Sequence, residues 1–312
     1  MERINFMDTK RLMVKLNQIS SQNLGKIMYA LLFMSILDTL VSFVILSPVM
    51  RMVQNGASDL ALKTGTFLLA FLAICVWLTF QFGFAIMLLQ MTRRQNTSLG
   101  FIFIGFKRFN PAGKVTISFG ILLALLAVLA RFIAKFIFLR IYPDFSFSTP
   151  SIEDLQAASE NTDLLAQSAS QTLLFIGLFL LLLFIIALFV LIRFVFVFQL
   201  HFDNPNMSVI SLFRKSSDLM HKNILRLILF ALRAGGKQLI IAIVLAAIVN
   251  FIPGEKFSGL SVISFLLNIA YFVNLYTAMV RIYLTVPVLY EEILSLTENT
   301  EEIQTNPQIT TD

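Results

Sequence analysis

The chain has too few of the residues on which most catalytic and metal sites depend. It contains one cysteine, Cys75, and two histidines among 312 residues. One cysteine forms no intrachain disulfide, and two histidines are too few for a metal cluster. The motifs HExxH, GxSxG, GxGxxG and the phosphate-binding GxxxxGK(S/T) are absent as well. We therefore expect a protein that is not an enzyme, with no catalytic residue, no cofactor and no metal.

Charged residues are also scarce, whereas apolar residues are in excess. Charged residues make up 13% of the chain and hydrophobic residues 57%, and the mean hydropathy is +0.82. Soluble globular domains rarely have this composition. Apolar runs long enough to cross about 30 Å of hydrocarbon occur at 27–50, 64–91, 115–140, 172–200, 224–251 and 260–290. The predicted fold class is all-α, a polytopic membrane protein with six transmembrane helices.

The basic residues lie mainly in alternate connecting segments, which indicates an orientation in the membrane. On one side lie Arg3, Lys10, Arg11, Lys15, Lys26, Arg93, Arg94, Lys107, Arg108, Lys114, Arg214, Lys215 and Lys222. The longest loop on the other side, 141–171, is acidic and has no cation. By the positive-inside rule both termini are predicted to be cytoplasmic. The net charge of +6 thus marks a membrane face, and we expect no nucleic-acid partner.

The two ends of the chain are expected to lie outside the six-helix membrane domain, which covers residues 27–290. Within residues 1–26, apolar side chains recur among basic ones, which predicts an amphipathic helix at the cytoplasmic membrane surface. Residues 291–312 are acidic and poor in apolar side chains, which predicts a disordered cytoplasmic tail. This tail is a candidate surface for a protein partner.

The two connectors on the predicted cytoplasmic side resemble each other at an offset of 110 residues. In each, a serine suited to an N-cap precedes apolar residues at helical spacing, which predicts a short amphipathic helix at the interface. The matched positions are Asn96 with Asn206, Ser98 with Ser208, Leu99 with Val209, Ile102 with Leu212, Phe103 with Phe213 and Phe109 with Leu219. Parallel repeats of this kind occur in transporters, but they also suit a purely structural bundle.

The second connector carries a motif that is typical of a known family. Ser216, Leu219 and Met220 form a Ser-x-x-Leu-Met element, and Tyr283 and Tyr290 lie near the end of the last predicted span. On these residues the chain resembles the bacterial membrane family named domain of unknown function 975. It is more weakly similar to the membrane domain of glycerophosphodiester phosphodiesterases. The resemblance implies a multi-pass protein of the bacterial cytoplasmic (inner) membrane, and the family has no established activity.

The fifth span contains cations that need an explanation, because a charge near the bilayer centre costs roughly 2.5 kcal/mol or more. Arg226, Arg233 and Lys237 share one helical face, since 100° per residue returns them to nearly the same direction. The spans contain a single acid, Asp38, which is the candidate buried counter-ion for Arg233 or Lys237. The three cations therefore form a candidate site for an anion or a lipid head group.

A secondary cationic site is predicted on the third span, where Arg131 and Lys135 lie one helical turn apart. Long basic side chains near the ends of a span can instead reach the head groups, with only their stems in the apolar layer. We expect this behaviour of Arg140, Arg193, Arg226, Arg281 and Lys135.

Gly235 and Gly236 lie between Arg233 and Lys237 and leave two interpretations open. Either the glycines bend a continuous span around a buried cationic site, or the helix breaks there and the membrane boundary falls beside Lys237. Small residues at this point also allow close packing of helices.

The leading functional hypothesis is a nonenzymatic membrane protein that binds anionic phospholipid, or another amphipathic anion, in a basic cavity between helices. One alternative is a secondary transporter or a permease subunit, which the repeat and the double glycine favour. Another is a membrane scaffold or regulatory protein, with the acidic tail as its binding surface.

Overall fold

The computed structural model describes residues 6–54, 60–107, 109–143, 162–251 and 258–305. Within these ranges every regular element is a helix. The helices are α1 (Phe6–Gln54), α2 (Leu60–Thr92), α3 (Ile104–Lys107), α4 (Phe109–Ile141), α5 (Thr162–Leu191), α6 (Val197–Asp203), α7 (Val209–His221), α8 (Ile224–Phe251) and α9 (Ser258–Thr305). Short 3₁₀ helices cover Leu99–Phe103 and Ile192–Phe194. The predicted fold class is confirmed.

Six segments are long and apolar enough to cross a membrane. They are Lys10–Val44, Leu68–Thr92, Ala112–Ile141, Leu174–Asp203, Ile224–Ile248 and Phe265–Thr297. Each overlaps one of the six predicted spans, and many large apolar side chains on them are exposed, as lipid-facing residues are. The chain is therefore a multi-pass membrane protein.

The first helix continues across the boundary that the sequence predicts between the tail, 1–26, and the first span, 27–50. α1 runs unbroken from Phe6 to Gln54, so the expected boundary between residues 26 and 27 is not a helix end. Leu12, Leu16 and Ile19 are buried, at the spacing of one helical face. The basic segment before the first span therefore packs its apolar face against the protein, and not only against a membrane surface.

Residues 291–305, which the sequence predicts to be part of a disordered tail, continue the helix α9 to Thr305. Ile293 is buried and Glu291 makes an ion pair with Arg93. These contacts hold the first turn after the predicted span, and the acidic composition that suggested disorder does not reveal them. Residues 306–312 lie outside the described residues.

The two connectors differ in form, although both N-cap serines have extended backbone. The second is the helix α7, capped by the Ser208 hydroxyl, which accepts a hydrogen bond from the Ser211 amide at 3.2 Å. The first is a 3₁₀ helix followed by the single turn α3. Gly100 and Gly105 account for the difference, because glycine weakens an α-helix by about 1 kcal/mol relative to alanine.

The fourth predicted span is interrupted near its end, between α5 and α6. The hydroxyl of Ser216 on α7 donates to the Arg193 carbonyl at 3.0 Å and accepts from the Phe196 amide at 3.3 Å. The interruption leaves these backbone groups outside the helical ladder, and a buried unpaired backbone group is costly. Ser216 thus stabilises the break.

The described residues divide into two compact units. The first unit contains Met1–Ser35, Phe80–Phe109 and Arg193–Asp312, and the second contains Ile36–Thr79 and Asn110–Ile192.

Small residues let backbones approach closely inside the first unit. A Cβ at Gly83 of α2 would overlap the Ile102 carbonyl of the first connector. A Cβ at Gly235 of α8 would lie 2.7 Å from Cγ1 of Ile282 and 3.0 Å from the Ala278 carbonyl oxygen, both on α9. Such contacts are typical of membrane helix packing, where small side chains and not hydrophobic burial bring helices together.

Candidate functional site

The first unit contains a hydrogen-bonded network that joins the ends of α2 and α6 to the interior of α9. Arg93 follows α2 and donates through Nη1 and Nη2 to both carboxylate oxygens of Asp203, at 2.8 Å each. Its Nε donates to Oε1 of Glu291 at 2.9 Å. The hydroxyl of Tyr290, which is fully buried, donates to Oδ2 of Asp203 at 2.8 Å. One guanidinium therefore binds two carboxylates, and a tyrosine orients one of them.

The hydrogen bonds with Asp203, followed by those with Glu291, raise the pKa of Arg93 above its ordinary value, although partial burial acts in the opposite direction. A raised pKa adds stability at every pH below the ordinary pKa of arginine, so the contribution is constant across the physiological range. The network is thus a permanent ionic link between the ends of α2 and α6 and the helix α9, and Arg93 stays charged throughout this range.

Sequence reasoning missed this network, although a signal for it was present. Arg93 and Asp203 are 110 residues apart, which is the offset that aligns the two connectors. The alignment extended three residues upstream from Asn96 therefore places a cation opposite an acid. The aligned apolar positions Ile102 and Leu212 are both buried. The shared burial agrees with the predicted repeat, whose two copies would then contact each other through Arg93 and Asp203. The repeat itself remains a prediction.

A polar pocket of about 220 Å³ lies beside this network, between α1 and the segment after α2. Gln18, Gln22, Asn23 and Lys26 line it from one side of α1. Met91, Arg94, Gln95 and Asn96 line it from the other side. Nothing in the sequence singled out these amides, because they lie among the basic residues that indicated orientation.

The predicted anion site on α8 is only partly enclosed. Arg226 is half-buried, whereas Arg233 and Lys237 are exposed. A ligand would therefore approach Arg233 and Lys237 from the surface of the helix and not within a closed cavity. α8 is continuous from Ile224 to Phe251, so the helix does not break at Gly235-Gly236.

The structure also describes the cations of the last and the third predicted spans. The Arg281 guanidinium, expected near head groups, donates through Nη1 to the Ala234 carbonyl of α8 at 3.4 Å. Arg131, Lys135 and Arg140 are exposed on α4, and Arg140 lies 5.5 Å from the centre of the Phe136 ring. The secondary cationic site remains a prediction.

Asp38 is exposed on α1 and belongs to the second unit. Its Oδ1 accepts a hydrogen bond from Nε1 of Trp77 on α2. The Trp77 indole is thus a hydrogen-bond partner of Asp38 within the second unit. The pairing of Asp38 with Arg233 or Lys237 remains a prediction.

The motif that carries the family resemblance has structural roles. Ser216 and Met220 are buried, and Ser216 stabilises the break before α6. The Asn223 side chain donates to the Leu219 carbonyl at 2.8 Å, at the turn between α7 and α8. Comparisons with family models, with curated proteins and with solved structures give no match to this chain. The relation to domain of unknown function 975 therefore remains a hypothesis based on these residues.

Within the described residues, no group of three or more histidine, cysteine or acidic side chains is arranged to hold a metal ion. The class that the fold and these features define is a multi-pass helical membrane protein with a fixed ionic network and a polar pocket.

Proposed function

We propose that this chain is a nonenzymatic protein of the bacterial inner membrane that binds an anionic phospholipid, or another amphipathic anion, along α8. Arg233 and Lys237 would contact the phosphate, and Arg226 would add positive charge toward the predicted cytoplasmic end. The observation that carries the proposal is the exposure of two cations, one helical turn apart, within an apolar span.

The depth of these cations favours a bound anion. At 1.5 Å per residue, Arg233 and Lys237 lie ~14 Å and ~20 Å along α8 from Ile224. A cation at such depth is unfavourable against hydrocarbon alone. A phosphate drawn inward, with local thinning of the bilayer, offsets this cost by forming charge-assisted hydrogen bonds.

The charges of α8 and of the neighbouring helix α9 favour an external anion as well. From Ile224 to Phe251 and from Ser258 to Tyr290 the sequence has four cations and no acidic residue. Arg281, one of the four, donates to a backbone carbonyl, which does not neutralise its charge.

The side chains around the cations suit a lipid. Leu227, Phe230 and Ala234 form the buried stripe of α8, and at 100° per residue Arg233 and Lys237 lie on average about a fifth of a turn from its centre. Leu229 and Ile240 are exposed on the outer side of the cations. The acyl chain of a bound phospholipid would lie on this apolar surface while the phosphate of the same lipid reaches Arg233.

The test is the amount of phosphatidylglycerol that remains bound after mild purification, measured by lipid mass spectrometry. Arg233→Gln with Lys237→Gln should lower it at least about threefold, because two phosphate contacts are lost. The matched control is Arg214→Gln with Lys215→Gln, which removes two exposed cations from α7 outside the predicted spans. Equal lipid retention in both double variants would refute the proposal.

A second candidate, a transporter or permease subunit, is favoured by the repeat. The support is the direct pairing of Arg93 and Asp203 at the repeat offset. The continuous α8 argues against a hinge at Gly235-Gly236. Spin-label distances across the ends of α2 and α6 should show two populations for a transporter, and a single narrow distribution with and without solute would contradict that role.

A further inference from the structure

The polar pocket between α1 and the segment after α2 has the composition of an anion site. Two cations, Lys26 and Arg94, line it together with five amide side chains, and no carboxylate is among its lining residues. The neighbouring acids Asp203 and Glu291 are bound to Arg93. The pocket therefore has positive charge and many hydrogen-bond donors.

The two cations are held at the pocket with most of their donors still available. Nζ of Lys26 donates to the Thr97 carbonyl at 3.1 Å, and Nη2 of Arg94 donates to Oε1 of Gln18 at 3.3 Å. An ammonium group has three donors and a guanidinium has five. These contacts orient both side chains without using their capacity to bind a ligand.

The spacing of the α1 residues completes the arrangement. Gln18, Gln22 and Lys26 recur every four residues, so they share one face of the helix. Arg94 has a left-handed backbone, with φ of 57°. This turn separates the directions of two adjacent arginines, so that Arg93 binds Asp203 and Arg94 lines the pocket.

We propose that this pocket binds a phosphate group, either as the head group of a phospholipid or as a free phosphate. Its 220 Å³ equal the volume of about seven water molecules, which admits a phosphate and part of a polar head group. Lysine and arginine together with amide donors suit the several acceptor oxygens of a phosphate.

The surroundings favour the lipid as the source of the phosphate. Met91 ends the second predicted span and Lys26 precedes the first, so the pocket lies at the predicted cytoplasmic surface of the membrane. Tyr29 and Leu32, on the following turns of α1, are exposed and offer apolar surface to an acyl chain. This site uses residues other than those of α8 and does not depend on the α8 proposal.

The experiment measures binding of phosphatidylglycerol to delipidated full-length protein in neutral detergent by native mass spectrometry. Both the wild type and the Arg233→Gln/Lys237→Gln background are used, so that the α8 site is absent in one of them. Adding Lys26→Gln and Arg94→Gln to that background should raise the remaining Kd about tenfold or more, because two charged contacts are lost. The charge-preserving pair Lys26→Arg and Arg94→Lys should retain binding within about threefold.

The outcomes separate the two sites and the two ligand sources. No loss on Lys26→Gln/Arg94→Gln, with helical content unchanged by circular dichroism, would overturn this inference and leave the α8 proposal standing. If Lys26→Gln/Arg94→Gln loses phosphatidylglycerol binding and Arg233→Gln/Lys237→Gln does not, the result would support the pocket and refute the α8 site. Competition by inorganic phosphate at millimolar concentration would identify free phosphate as a sufficient ligand, whereas its failure to compete would identify the lipid head group.

Discussion

Replacing Arg93 by methionine should destabilise the protein more than replacing any exposed cation. The three charged side chains of the network are 20–25% exposed, between the surface and the buried cases. Exposed ion pairs contribute about 0–1 kcal/mol, and breaking a buried pair costs about 3–5 kcal/mol. From exposure alone we expect a loss of about 2–3 kcal/mol in the free energy of unfolding.

The repulsion between the two carboxylates that lose their cation in Arg93→Met gives a second value for the lost free energy of unfolding. Asp203 and Glu291 both contact Nη2 of Arg93, at 2.8 and 2.9 Å. Without the arginine, two negative charges less than about 6 Å apart would repel each other by roughly 3 kcal/mol at an effective dielectric of 20. The substitution Arg93→Lys keeps the charge but loses the two-pronged contact, so its cost should be about 1 kcal/mol.

The measurement is equilibrium unfolding in mixed micelles, followed by far-ultraviolet circular dichroism. Arg214→Gln, an exposed cation of α7, is the control and should change stability by less than about 0.5 kcal/mol. Asp203→Asn added to Arg93→Met should recover part of the loss, because it removes one of the two repelling charges. An Arg93→Met variant as stable as the control would refute the role of the network.

Two further pairs of substitutions test the close helix packing and the helix break, and all four variants are checked by the same unfolding assay. Gly235→Ala should cost about 1–3 kcal/mol because its Cβ would lie 2.7 Å from Cγ1 of Ile282. Gly236→Ala, whose Cβ would meet no atom within 4 Å, should be neutral or stabilising by up to about 1 kcal/mol, and equal effects would contradict the close approach. Ser216→Ala should cost about 1–3 kcal/mol by leaving two backbone groups of the helix break unpaired, whereas Ser217→Ala should be close to neutral, and a neutral Ser216→Ala would show that the hydroxyl does not stabilise the break.

The membrane spans were predictable because they depend on a property that is additive along the chain. A run such as 224–251 is apolar over the length that crosses a bilayer, and α8 has the same bounds as this run. The connectors were predictable in position, because Ser208 and the apolar residues after it follow a local helical pattern. The two connectors differ in form at Gly100 and Gly105. An alignment of apolar positions does not take the effect of these glycines on helix stability into account.

The network and the pocket were not predictable in the same way, because each joins residues that are distant in the chain. Glu291 contributed to an acidic composition typical of disorder, yet its ion pair with Arg93 spans 198 residues. Arg94 and Lys26 were interpreted as orientation signals, since charge counting does not distinguish a solvated cation from one that lines a pocket. The exposure of Arg233 and Lys237 likewise depends on which face of α8 packs, and Phe230 and Ala234 determine that face.

Anion binding by α8 can be observed in an experimental map of the full chain in nanodiscs containing phosphatidylglycerol. We expect head-group density with its phosphate within about 4 Å of the Arg233 guanidinium or the Lys237 ammonium. Density for acyl chains alone along this face, with both cations bound to carboxylates of the protein, would contradict it.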